Sequence, residues 1–453
     1  MKPKYLIETF GCQMNELDSE KISGVLDHAG YEEADGPESA DVIVLNTCSV
    51  RDKAVEKVYA RLGEFRRLKR ERPDLRICVA GCMAQLEPGR ILARAPYVDV
   101  VAGPQKGLLL PGLIERARGS GGSVIARRGD PPAAAAETPY IRRRSTYSAW
   151  VTISEGCNRR CSFCVVPLAR GPERPRPSAR ILEEVRALAD EGYVEIVLLG
   201  QTVNSYRDRE AGVGFARLLR EAAAVPGIRR IRFTSPHPGD FTDELLETMV
   251  SCPAVCNQIH LPVQSGSTRV LRAMRRGYTR EQYLDIIRRI RAAARPIAVS
   301  TDLIVGFPGE TEGDFEDTLT LLDEVQYDSA FSFKYSPRPD TAALALEDDV
   351  PDEEKGRRLT LLQERQRHIQ SARNSRYVGR IVEVLVEGKA RSRMALAGRS
   401  SDNRIVNFDG PETPPGSFAE VEITGFGPNS LKGVRAGQTR DARRARPPGM
   451  EGK

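Results

Sequence analysis

Ala149-Trp150-Val151-Thr152-Ile153-Ser154-Glu155-Gly156-Cys157-Asn158-Arg159-Arg160-Cys161-Ser162-Phe163-Cys164 is the stretch on which the reading of this chain turns. Its first six residues form a strand-like run with β-branched side chains. The three cysteines that follow bring three thiolates onto one tight loop. No fourth Cys or His lies nearby to close a structural zinc site, so zinc would need a distant ligand. A [4Fe-4S] cube held by three thiolates instead keeps one iron free, and such clusters reach potentials near roughly −700 mV, low enough for demanding one-electron reductions.

Working outward from this loop, strand candidates recur at 149–154, 194–199, 228–233, 257–263, 297–305 and 329–335. Amphipathic segments lie between them, including 178–191, 240–250, 280–294 and 314–325. Six β/α units with short loops predict a partial TIM-like (β/α)6 barrel, with its chemistry at the C-terminal ends of the strands. Polar residues gather at those ends. Gly200, Gln201, Thr202 and Asn204 follow the second strand, Ser235 and His237 the third, and Gln264, Ser265 and Gly266 the fourth, while Ser300 and Asp302 lie within the fifth. Hydroxyl, amide and carboxylate groups of this kind suit the ribose and adenine of a nucleoside-like cofactor. His237 and His260 read first as hydrogen-bonded structure and second as proton-transfer groups.

Upstream, apolar runs at 5–12, 41–48 and 76–82 each end in a cysteine: Cys12, Cys48 and Cys82. Helix-like segments at 16–29 and 49–69 separate them, so a parallel sheet is expected. Parallel strands with crossover helices end at one edge, which predicts that the three cysteines converge there and hold a second iron-sulfur cluster. Cys78, four residues before Cys82, reads as core. Cys252 and Cys256 form a CxxxC pair without a third partner and read as packing residues.

An Ala/Pro/Gly/Arg-rich stretch from about 116 to 144 reads as a linker. Beyond the barrel, a long charged helix at 354–378 leads into short alternating strands, which predict a small β-barrel. Arg391, Arg393, Arg399, Arg404 and Lys432 punctuate its turns; they suit a phosphate backbone or an ordinary solvated face equally. The expected division is 1–118, a linker at 119–144, a barrel domain at 145–375, a small β-barrel at 376–439 and a disordered basic tail at 440–453.

The net charge of +6 comes from 68 basic and 62 acidic residues and by itself points to no partner. Glu8 interrupts the N-terminal segment before an apolar run of signal-peptide length, and no stretch approaches the roughly 20 apolar residues of a membrane span. A cytoplasmic chain with no membrane partner is therefore expected, in which nine cysteines are metal ligands or buried thiols rather than disulfides.

With these pieces in order, the chain resembles the methylthiotransferase family of radical S-adenosylmethionine (SAM) enzymes, closest to the branch acting on N6-isopentenyladenosine in tRNA. The likeness covers nearly the whole chain. It is carried by the CxxxCxΦC motif with Phe163 as its aromatic, and by residues 9–15 (Thr-Phe-Gly-Cys-Gln-Met-Asn), 46–51 (Asn-Thr-Cys-Ser-Val-Arg) and 80–85 (Ala-Gly-Cys-Met-Ala-Gln). Residues 260–267 (His-Leu-Pro-Val-Gln-Ser-Gly-Ser), 302–311 and 335–339 continue it, and the C-terminal barrel resembles a TRAM domain, an RNA-binding module.

The resemblance implies two [4Fe-4S] clusters. One, on Cys157, Cys161 and Cys164 as the catalytic set, binds SAM and yields a 5′-deoxyadenosyl radical that abstracts the C2 hydrogen of adenine. The other, on Cys12, Cys48 and Cys82, carries the sulfur that is methylated by a second SAM. Phe163, Gly200, Gln201, Asn204, Gln264, Ser265, Ser300 and Asp302 become the candidate cofactor contacts. The implied substrate is the isopentenylated adenosine 3′ of the anticodon (position 37), in a tRNA anticodon stem-loop. The implied partners are an electron donor such as flavodoxin or ferredoxin and a sulfur donor, with the chain acting as a monomer. Methylthiolation of threonylcarbamoyladenosine or of a ribosomal-protein aspartate are the rivals within this chemistry, and an RNA-binding iron-sulfur protein is the rival outside it. Thr202 stands where the family usually has Asn, and Pro175 interrupts its Arg-Gly-x-Glu-x-Ser-Arg pattern. Both are expected to bear on the substrate channel and to leave the cluster ligands untouched.

Overall fold

The computed structural model describes residues 2–49, 52–130 and 138–437. The expected tail at 440–453 lies outside them, as do Val50 and Arg51.

Strands Lys4–Phe10, Val42–Thr47 and Arg76–Gly81 lie side by side and parallel, flanked by Glu32–Glu33 on one side and by Val100–Ala102 and Val124–Ala126 on the other. Side-chain alternation sorts the apolar residues onto two buried faces. Ile7, Val44, Cys78 and Val100 share one core, while Ile43, Leu45, Ile77 and Val79 share the other. Both faces are covered by helices, which is why the strands read as continuous apolar runs rather than alternating ones. Cys78 is core, as its position in the strand predicts.

The sixth strand corrects the linker expectation. Val124–Ala126 pairs with Val100–Ala102 inside the stretch read as linker, and helix Leu110–Ser120 runs past residue 118. Three apolar residues between Gly122 and Arg127 are too short a run to stand out from their turn-rich flanks. Residues after the gap are also anchored. Arg142 reaches the Tyr5 hydroxyl and Asp27, and Arg143 pairs with Glu184 at 2.8 Å.

The six barrel strands are Ser148–Thr152, Glu195–Leu199, Arg230–Phe233, Gln258–His260, Ala298–Val305 and Ser329–Lys334. They form two three-stranded parallel sheets joined by the Ile231–Val255 bridge, so the spatial order follows the chain order. One large core fills the space between strands and helices. Within it Tyr327 Oη donates to Tyr283 Oη at 2.9 Å, and Tyr283 Oη donates to Leu261 O at 3.0 Å, so the buried phenols keep their hydrogen bonds.

The 24-residue helix Asp352–Ser375 leads into a closed five-stranded barrel in the order Ile381–Lys389, Leu396–Ser400, Ile405–Asp409, Ser430–Arg435, Phe418–Phe426. Arginines fasten it to the larger barrel. Arg230 reaches Arg399 O and Glu383, Arg232 reaches Ser400 O, and Asp328 binds both Arg373 and Arg404. Arg404 is thus a buried structural cation and not a phosphate contact, because a desolvated guanidinium needs its carboxylate partners. Arg399 is engaged by Glu387, whereas Arg391, Arg393 and Lys432 stand exposed.

Candidate active site with two cysteine trios

The register of the first sheet pairs Phe10 with Thr47 and Thr47 with Gly81. Cys12, Cys48 and Cys82 follow these positions by one or two residues, so they come together at the C-terminal edge of three adjacent strands. The loops beneath them are tied by amides. Asn15 Oδ1 accepts from Cys12 N and Cys12 Sγ at 3.3 Å, Asn15 Nδ2 donates to Thr47 O, and Asn46 Nδ2 donates to Asn15 O at 2.7 Å. Gly81 has φ +94°, and a Cβ there would meet Thr47 O at 2.4 Å, so only glycine lets the third strand turn into Cys82. Cys12 is exposed while Cys48 and Cys82 are buried. Burial raises the Cys82 thiol pKa, and the Arg170 guanidinium beside it opposes that rise.

The second trio sits on the loop after the first barrel strand. Gly156 (φ +80°) starts this loop where a Cβ would lie 2.2 Å from Pro172 O, and Cys157 N donates to Gly171 O at 3.0 Å. Ser162 staples the middle of the loop: its N donates to Met274 O at 3.0 Å and its Oγ to Ala273 O at 2.8 Å. Phe163 packs among Val270, Met274, Phe307 and Tyr335, so this candidate cofactor contact also anchors the loop. Burial, with Cys161 and Cys157 close by, pushes the Cys164 thiol up to about 12. Opposing cations are needed to make such thiols thiolates. Arg276 Nη1, 3.3 Å from Cys161 Sγ, supplies one.

Thr202 Oγ1 lies 3.4 Å from Cys157 Sγ, which corrects the expectation that this position leaves the ligands untouched. The second strand pairs directly with the first, which brings the residues that follow each of them together, and the distance between adjacent strand ends is not visible in sequence.

Two sets of polar side chains, drawn only in part from the candidate cofactor contacts, bear on cofactor binding. Ser300 Oγ is 3.0 Å from His260 Nδ1, and Asp302 Oδ2 is 3.4 Å from His260 Nε2, so these three meet in the barrel lumen. Ser154 Oγ, Gln201 Oε1 and His237 Nε2, all after the first three strands, are buried without a hydrogen-bond partner among the described residues. Such unmet polar groups are what a nucleoside-like ligand satisfies. Gly200 gives close approach, since a Cβ there would sit 2.8 Å from Ser154 Oγ. Two candidates are otherwise employed. Both ends of the Asn204 amide bind the His237 backbone, and Ser265 is fully buried, with its Oγ accepting from Ser267 N. Gln264 carries backbone strain at φ +77° while bridging Asp302 O and Ile304 N. His237 is held neutral, its pKa lowered to about 2 by burial and by Arg276 and Arg159. Gly239 N donates to its Nδ1, which leaves Nε2 as the N–H donor.

The chain matches family models in three places: the Radical SAM superfamily over 151–322, the uncharacterized protein family UPF0004 over 4–103, and the TRAM domain over 375–434. A tRNA-2-methylthio-N(6)-dimethylallyladenosine synthase of Solibacter usitatus (strain Ellin6076) is 50% identical over 438 residues, covering 95% of this chain and 98% of its own. The chain belongs to the tRNA-2-methylthio-N(6)-dimethylallyladenosine synthase family. A second synthase, from Koribacter versatilis (strain Ellin345), is 46% identical over 96% of this chain and 98% of its own. The solved structure of the radical S-adenosylmethionine methyltransferase TsrM from Kitasatospora setae with cobalamin and [4Fe-4S] cluster bound superposes with a TM-score of 0.53, covering 76% of this chain and 77% of that one. At 16% identity the likeness is one of fold.

For this synthase family member both donor sets are thiols, the ligands that iron-sulfur clusters take. Among the described residues no three His, Cys, Asp or Glu side chains are arranged around a single metal ion. Each trio offers three thiols and one buried guanidinium on a thiol, a combination suited to a group with several irons and net negative charge. Sequence reasoning missed both arginines and Ser154, and it singled out Thr202 without its contact to Cys157. The only signals were Arg170 at the end of the cysteine-loop segment and the Arg275-Arg276-Gly277 turn.

Proposed function

We propose that this chain is a radical SAM tRNA methylthiotransferase that places a methylthio group on C2 of N6-isopentenyladenosine next to the anticodon, at position 37. The observation that carries the reading is the pair of cysteine trios, one at a sheet edge and one at a barrel mouth, joined by the short helix Val166–Arg170, in a chain half identical to a synthase of that name over nearly its full length. The C2–H bond of adenine is unactivated, so acid/base groups at neutral pH do not exchange that hydrogen for sulfur. Cys157, Cys161 and Cys164 would hold a [4Fe-4S] cluster, which when bound would supply the one-electron reduction of SAM that radical chemistry at this carbon requires.

The chain's own residues hold and orient. Ser154, Gln201 and His237 offer unmet polar atoms to SAM, and His237 serves as a neutral N–H donor, since it takes no proton near pH 7. Ser300, His260 and Asp302 line the lumen as a connected polar group for the ribose or the target base. Cys12, Cys48 and Cys82 take the second cluster, with exposed Cys12 on the side open to the substrate. The working units are the sheet domain through Ala126, the barrel with its long helix, and the TRAM barrel, whose exposed Arg391, Arg393 and Lys432 face RNA. An external electron donor such as flavodoxin or ferredoxin and a sulfur donor complete the reaction. Among the described residues no helix is long and apolar enough to cross a membrane.

Anaerobic incubation of the reconstituted protein with SAM, dithionite and an isopentenylated anticodon stem-loop tests this. The reading predicts 5′-deoxyadenosine and 2-methylthio product together. A metal-containing RNA-binding protein gives neither, and a methylthiotransferase for threonylcarbamoyladenosine or for a ribosomal-protein aspartate leaves this stem-loop unmodified.

A further inference from the structure

Arg276 is buried, 7% exposed, and its three donating nitrogens are fully assigned. Nε donates to Tyr278 Oη at 2.9 Å, Nη2 to Pro262 O at 2.9 Å and Nη1 to Cys161 Sγ at 3.3 Å. None of these partners is a carboxylate. The other cations near the two trios differ: Arg170 pairs with Asp18, and Arg159 of the cysteine loop pairs with Asp240. A guanidinium removed from water without a carboxylate is costly, and burial pushes the Tyr278 phenol up, which leaves the cluster site at Cys161 as the place for its counter-charge. The geometry is also fixed from several sides. Ser162 of the cysteine loop is bonded to Ala273 and Met274, three and two residues before Arg276. Arg275 and Gly277 both hold positive φ, which turns the chain so that Arg276 faces inward, and Tyr278 Oη, which receives the Nε bond, is itself anchored on Val263 O at 2.9 Å.

We infer that Arg276 is a positioning residue of the radical SAM centre. Its N–H···S bond to Cys161 and its charge, unmatched by any carboxylate, make the cluster on Cys157, Cys161 and Cys164 easier to reduce. The inference rests on the proposed cluster at these three cysteines. Hydrogen bonds to cluster sulfurs and local net charge are two of the factors that set an iron-sulfur potential, and a positive group beside the sulfur stabilises the form that carries the extra electron. That electron comes from an external low-potential flavin or iron-sulfur donor.

The test uses full-length protein in which Cys12, Cys48 and Cys82 are replaced by Ala, so that one cluster remains. In the protein labelled with 15N-arginine, pulsed EPR of the reduced cluster should show coupling to an arginine nitrogen, and Arg276→Lys should abolish it. In a redox titration, Arg276→Gln should lower the ratio of reduced to oxidised cluster at a fixed poise about tenfold, equivalent to about 59 mV for one electron. A cluster with no arginine coupling, or a coupling that survives Arg276→Lys, overturns the inference, as does an unchanged ratio in Arg276→Gln. The labelled-parent experiment decides the matter even where the Gln variant does not fold. Failure of the underlying cluster reading looks different: the parent then shows no cluster signal at all.

Discussion

Arg170, which ends the helix that follows the Cys157–Cys164 loop, lies beside Cys82 of the other trio and is ion-paired with Asp18. Six residues of chain therefore connect the two candidate cluster sites, and one buried pair fixes the sheet edge against the barrel mouth. Arg170 and Asp18 side chains are 4% and 12% exposed, so the pair is desolvated. Removing one partner of such a pair leaves an uncompensated buried charge, a loss of about 3–5 kcal/mol. Arg170→Ala should lower the melting temperature of the protein strongly, and Arg170→Met with Asp18→Leu should restore much of it. Additive losses in the double variant would contradict the pairing.

Gly156 makes a backbone prediction. Its φ of +80° disfavours any L side chain, and a Cβ would lie 2.2 Å from Pro172 O, a backbone atom that a side-chain rotation does not move. Left-handed backbone alone costs a non-glycine residue about 1–2 kcal/mol, and the clash adds to it. Gly156→Ala should reduce iron content by about half after reconstitution, the half bound at Cys157, Cys161 and Cys164, while Gly119→Ala, with open space around it, leaves iron content unchanged.

Acidification should destabilise the protein through His237. Burial, with Arg276 and Arg159 nearby, lowers its folded pKa from 6.5 to about 2. Below about pH 6.5 the unfolded chain binds a proton there that the folded chain refuses, so stability falls as pH falls, by up to about 1.4 kcal/mol per pH unit. Urea denaturation of the parent and of His237→Gln between pH 6.5 and 5 should show a shallower pH dependence in the variant, by one proton. An imidazole titrating near pH 6 in the folded protein would refute the assignment.

At the junction of the two barrels, Asp328 serves Arg373 and Arg404, all three largely buried. Asp328→Ala leaves two guanidinium groups short of their shared carboxylate, whereas Arg404→Ala leaves Asp328 still paired with Arg373. The aspartate variant should therefore melt at the lower temperature of the two, and proteolysis should then separate the TRAM barrel from the rest.

RNA affinity should follow exposure rather than charge alone. Exchange of exposed Arg391 and Arg393 for Gln is expected to weaken stem-loop binding and to reduce the slope of log K against log salt by about 0.7 for each phosphate that is no longer neutralised. Arg399→Gln should change the slope little, since Glu387 already engages that side chain.

Much of this organisation is legible in the sequence because it is local or periodic. The cysteines at 12, 48 and 82 each close an apolar run, so a parallel sheet alone brings them to one edge, and the six barrel strands each carry their own apolar signature. The remainder depends on packing across long sequence separations. Arg276 reaches Cys161 across 115 positions and Thr202 reaches Cys157 across 45, with no local pattern to announce either. Ser265 and Asn204 carry chemistry suited to a ligand, but helix packing buries the first and the His237 backbone takes up the second. Val124–Ala126 stays hidden because three residues are below the length at which periodicity shows.

Modification of isopentenylated tRNA at C2 of adenosine 37 is read out by nucleoside mass spectrometry on tRNA from cells lacking this gene, with and without the gene restored. The account predicts that 2-methylthio-N6-isopentenyladenosine disappears, that N6-isopentenyladenosine accumulates, and that the restored gene reverses both, whereas a copy with Cys157, Cys161 and Cys164 replaced by Ala reverses neither. An unchanged level of the methylthiolated nucleoside in the cells lacking the gene would contradict it.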